Sequence, residues 1–102
     1  MSQNMYRQGD LLFVKIESLP NNLKERSNMV IAEGEVTGHN HRLSEGRVLE
    51  NRMGDLFLQV ARAARVLHQE HHTITLPPGR YRVVRQREYT PAAPAKIREV
   101  RD

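Results

Sequence analysis

The sequence predicts an all-β fold, a small single-domain barrel or sandwich of short antiparallel strands. Three observations carry this expectation. Apolar and polar residues alternate over short runs, turn residues recur between those runs, and no long stretch keeps a helical period. A length of 102 residues suits one domain. With 38% hydrophobic and 27% charged residues the chain lies outside the disordered range, with a core of modest size.

The elements follow in chain order. Gly9-Asp10 precedes a strand-like run, residues 11–17, with Leu12, Val14 and Ile16 on one face and Leu11 and Phe13 on the other. Pro20-Asn21-Asn22 ends that run in a polar turn. Residues 29–32 form a second short strand. Gly34, Val36 and Gly38 then lead to His39 and His41 in a segment too glycine-rich and β-branched for a helix. Residues 47–50 read as a further strand, closed by a turn over 52–55. Leu56, Leu58 and Val60 next alternate with Phe57, Gln59 and Ala61.

Ala61, Ala63 and Ala64 favour helix. Gly54-Asp55 before them and the histidines and β-branched residues after them predict strand–turn–strand instead. Residues 73–76 and 80–84 flank Pro77-Pro78-Gly79, a pattern that predicts a hairpin. The β domain is expected to span 1–90. Residues 91–102 form a proline- and charge-rich tail.

Composition narrows the function classes. The chain has no cysteine, which excludes disulfides and thiolate metal sites and suits a reducing cytoplasm. No apolar run approaches the ~20 residues of a membrane helix, and residues 1–10 lack the apolar core of a signal peptide. The expected location is the cytoplasm. The formal charge is +4, and only Lys15, Lys24 and Lys96 of the basic side chains are lysines. Arginine grips carboxylate or phosphate through a planar fork, although an arginine-rich surface of this charge is also ordinary.

All five histidines fall in two short clusters. In an extended chain His39 and His41 project from the same face, so both rings can reach one ion. In the second cluster, strand parity puts His68, Glu70 and His72 on the face shared by Val66, Ile74 and Leu76. That is the core-facing stripe, where histidines need hydrogen-bond partners or a metal. A bulge would pair His68 with His71 instead, so His71 and His72 remain alternatives. Two histidines from each cluster would complete a four-ligand site, or three with water. Without cysteine, such a shell suits a divalent transition metal: zinc, iron, nickel, copper or manganese. Glu45 or Glu70 would serve as ligand, as orienter of an imidazole, or as general base. A metal-free histidine cluster is the alternative for the same residues.

Gly34, His39-x-His41, Glu45 and Gly54 together resemble the first motif of the cupin superfamily. That likeness implies a β-barrel holding a metal through two histidines, a glutamate and a later histidine, here His68, His71 or His72. The second cupin motif places proline and glycine before its histidine, whereas Pro78-Gly79 follows the histidines here. Most of the chain also resembles a set of small bacterial proteins of no assigned activity. The shared segments are Tyr6-Arg7-Gln8-Gly9-Asp10, Gly38-His39-x-His41, His68-x-x-His71 and residues 76–89, Leu-Pro-Pro-Gly-x-Tyr-Arg-Val-x-Arg-Gln-Arg-Glu-Tyr.

That last segment crowds Arg80, Arg82, Arg85 and Arg87 onto one strand with Tyr81 and Tyr89. As a functional surface it would bind RNA or single-stranded DNA, the tyrosines stacking on bases. As an ordinary surface its arginines would pair with Glu88, Glu70 or Glu50 across strands. With aromatics at 5%, the ordinary reading is favoured. Strand edges in so small a domain predict a homodimer. Whether a reaction accompanies the site is left open, since catalysis would need an open coordination position.

Overall fold

The computed structural model describes residues 4–33 and 38–86. These residues form ten strands and no helix: β1 (Met5–Gln8), β2 (Leu11–Ile16), β3 (Lys24–Glu25), β4 (Val30–Glu33), β5 (Asn40–Leu43), β6 (Arg47–Glu50), β7 (Leu56–Val60), β8 (Ala64–Leu67), β9 (Ile74–Leu76) and β10 (Gly79–Arg85). Six strands make one sheet in the order β1-β2-β10-β7-β6-β3, and four make a second in the order β4-β5-β8-β9. Every pairing is antiparallel. The all-β expectation holds. No helix among the described residues is long and apolar enough to cross a membrane.

The two sheets share one core. The larger contributes Leu11, Phe13, Val48, Leu58 and Tyr81, and the smaller contributes Ile31, Leu43, Val66 and Leu76. Alternation decides which side of each strand goes in. On β2 the inward pair is Leu11 and Phe13, while Leu12, Val14 and Ile16 stay half-buried on the outer face. The strand–turn–strand reading of 56–67 matches β7 and β8. The alanine-rich turn carries too few residues for a helix to bury a face there.

Two local expectations are corrected, and one strand was not anticipated. Residues 73–84 do not form a hairpin, because β9 pairs with β8 in the smaller sheet and β10 with β2 and β7 in the larger. Pro77 and Pro78 lack the N–H groups a ladder needs, so the chain turns a corner between sheets. The Tyr81 hydroxyl donates to Pro77 O at 2.6 Å and holds that corner. The second histidine cluster is not strand: β8 stops at Leu67, and residues 68–73 form a loop. Finally, β1 is a strand despite its polar sequence. It lies at a sheet edge, with Tyr6 and Gln8 facing inward opposite Phe13 and Leu11.

The turn before β6 depends on Gly46. Its φ is +109°, and a Cβ there would lie 2.7 Å from the Gln59 carbonyl oxygen. Both backbone strain and a backbone clash oppose any side chain. Gly46→Ala is expected to lower the unfolding free energy by about 1–3 kcal/mol, read by urea denaturation. An unchanged midpoint would contradict the clash.

Candidate metal centre

Four of the five histidines meet where the β8–β9 loop folds over the start of β5 and the β1–β2 turn. Ring centroids lie 4.4 Å apart for His41–His68, 4.5 Å for His68–His71, and 5.9 Å for both His39–His68 and His41–His71. His72 contributes its carbonyl and not its ring: Gln8 Nε2 donates to His72 O at 2.8 Å. Glu45 lies exposed in the β5–β6 turn, four residues beyond His41. Glu70 approaches the cluster from outside, its Oε2 3.4 Å from His39 Nδ1.

Gln8 and Asp10 were not singled out from the sequence. Gln8 is 3% exposed and sits on the inner side of an edge strand. Its amide donates both protons, to Val66 O and His72 O, each at 2.8 Å. Its Oε1 lies 2.7 Å from His41 Nδ1. A carbonyl oxygen only accepts, so His41 must carry its proton on Nδ1. The opposite amide orientation would set Oε1 against two carbonyls, so the chemistry of the neighbours settles the tautomer. His41 Nε2 is therefore a bare lone pair, and it faces Asp10 Oδ1 at 3.9 Å.

Charge in the cluster is kept low. Burial pushes the His41 pKa down to about 4, helped by His68, His71 and Arg85 and opposed by Asp10. His68 is also shifted down, by burial first and then by His71 and His39, against Glu70 and Asp10. Near neutral pH the inner ring thus offers a lone pair, not a proton. Asp10 is held by a second arm: Arg85 Nε donates to its Oδ2 at 2.9 Å, and Arg85 Nη2 donates to Glu33 O at 2.9 Å.

The members differ in what they can do. His68 Nδ1 accepts the Glu70 N–H at 2.9 Å and the His71 N–H at 3.3 Å, which builds the loop and leaves its proton on Nε2. His68 is thus a turn former and donor in this arrangement. His71 lies over Gly9, whose φ is +61°. A Cβ on Gly9 would sit 2.6 Å from His71 Nε2, so glycine makes room for the ring. Among the described residues no three His, Asp or Glu side chains are already posed around one point as an ion's ligands. Two ligands of a tetrahedral ion with ~2.0–2.1 Å bonds lie about 3.4 Å apart. The His41–Asp10 gap exceeds that by about half an ångström, within the reach of a side-chain rotation.

The arginine strand divides between two faces. Arg80 and Arg82 are exposed on the outer face of β10, and Arg85 points inward to Asp10. Tyr81 is buried in the core and its pKa is pushed up to about 12 by burial, with Tyr6 adding to the shift. Its ring offers no face for a base. Arg87 and Tyr89 lie outside the described residues.

A family model described as a domain of unknown function, DUF8820, matches residues 7–86. The chain belongs to that family. The matched span contains Gln8, Asp10 and all five histidines. No curated protein and no solved structure matches the chain.

Proposed function

For this member of a family of unknown function, we propose that the domain binds a divalent transition metal. His41 Nε2 is the anchoring ligand, with Asp10 and His71 completing a nitrogen–oxygen set. His39 and Glu70 flank it, and His68 shapes the loop. The observation that carries this reading is the hydrogen bond from His41 Nδ1 to Gln8 Oε1. Ligating histidines are typically oriented by an acceptor on the far ring nitrogen, which fixes the tautomer and raises ligand basicity. A bare imidazole nitrogen and a carboxylate facing each other are two acceptors with no proton between them, and a cation resolves that pairing. Nitrogen and carboxylate donors without sulfur suit zinc, iron, nickel or manganese.

Tag-free, metal-stripped protein titrated with Zn²⁺, Fe²⁺, Ni²⁺ and Mn²⁺ in a calorimeter is expected to bind one equivalent of at least one ion. The exposed His71→Ala variant is expected to bind about 10–100-fold more weakly at unchanged fold. No saturable binding of any of the four ions would overturn the proposal. So would a His71→Ala and an Asp10→Asn variant that both bind as tightly as the parent.

A further inference from the structure

Between the two sheets, beside the histidine cluster, lies a cleft of about 360 Å³. That is the volume of about a dozen liquid waters, at the small end of ligand sites. Its walls are Leu11, Leu56 and Val83 from the inner face of the larger sheet, and Ile31 and Ala32 from β4. The β4 wall has a cause in the backbone. Val30 pairs with Arg42 and Ala32 with His41, so Ile31 is an extra residue and the register shifts there. Such a bulge re-aims side chains, and it turns two consecutive residues into one cavity.

Two arginines, Arg26 and Arg85, line this cleft beside its apolar walls. Arg85 is tied to Asp10 and to Glu33 O through Nε and Nη2, which leaves Nη1 without a partner among the described residues. Arg26 is half-buried. Its backbone N–H donates to Val48 O at 2.8 Å, but its side chain has no hydrogen bond or ion pair among the described residues. Asp55, the acid at the rim, is exposed and already accepts from Asn51 Nδ2 at 3.0 Å. A half-buried arginine beside apolar walls can offer its fork to a planar anion, and carboxylate is the anion whose two oxygens match it.

We infer that this cleft binds a small carboxylate with an apolar body, its acid group on Arg26 and Arg85 and its body between β4 and the larger sheet. Such binding needs no ion on His41. The two sites meet at the Arg85–Asp10 pair and at Ala32, which pairs with His41.

The test uses metal-free protein and benzoate as the probe, followed by amide chemical shifts. Saturable shifts centred on Ile31, Ala32, Leu56 and Val83 are expected, with a millimolar Kd for so small a molecule. Arg26→Gln is expected to weaken benzoate at least tenfold, and benzyl alcohol to bind at least tenfold more weakly than benzoate. Three outcomes would overturn the inference: no saturable shift at these residues, benzyl alcohol binding as tightly as benzoate, or inorganic phosphate doing so without any apolar body. Loss of ion binding in the calorimeter would leave all of these readouts untouched.

Discussion

Replacing Gln8 with leucine is expected to destabilise the domain by about 3 kcal/mol, a large share of what a chain this size has. Leucine fills a similar volume, so packing is not the cause. The loss comes from three groups left without partners: Val66 O, His72 O and the His41 Nδ1–H. Each buried group left unpaired costs about 1–3 kcal/mol, and His72 O can recover part of that from water. For a domain of about 100 residues the melting temperature should fall by roughly 12–24 °C. Met53→Ser, at a side chain 84% exposed, serves as the control and should change stability by less than about 0.5 kcal/mol. A Gln8→Leu loss below about 1 kcal/mol would show that Gln8 does not tie β1 to the smaller sheet.

The metal-free domain is expected to lose about 3 kcal/mol of stability as the pH falls from 7 to 4. This loss belongs to His41, whose pKa is depressed from 6.5 to about 4 by burial, His68, His71 and Arg85, against Asp10. Above pH 6.5 the ring is neutral folded and unfolded, and the full stability is present. Between 6.5 and about 4 the unfolded chain takes up the proton and the folded chain does not, so stability falls with pH. Every tenfold drop in proton affinity on folding corresponds to about 1.4 kcal/mol. Below about 4 both states are protonated and this contribution has gone. His68 acts in the same direction. Denaturation curves from pH 7 to 4 should show the slope in the parent and a much flatter one in His41→Gln, whose amide can still donate to Gln8 Oε1. Parallel slopes for the two would contradict a buried, neutral His41.

Much of the architecture was legible because its signals are local. Alternation in residues 11–16 and 56–60 and the turns around Asn22 and Gly54 each follow from side-chain chemistry within a few residues. The hairpin expected around Pro77-Pro78-Gly79 failed because a turn signal states that the chain reverses, not which sheet the next strand joins. Strand β1 was missed because Met-Tyr-Arg-Gln has no apolar alternation. Only the partners Leu11 and Phe13 across the ladder make it a strand.

For the proposed site, the sequence by itself determined which donors are at hand: imidazole nitrogens concentrated in two histidine clusters, carboxylate oxygens, and no thiolate. Parity then placed the second cluster on a strand and left His71 and His72 as alternative partners of His68. The tertiary structure replaces that strand with a loop, because His68 Nδ1 binds the Glu70 and His71 amides, bends the chain and brings His71 against His41. It also supplied Gln8 and Asp10, 33 and 31 residues from His41 along the chain. Which nitrogen of His41 carries the proton rests on an amide whose orientation is set by two carbonyls 58 and 64 residues further along the chain. Periodicity reports which face a residue takes. It carries no information about partners that meet only when two sheets close on one another.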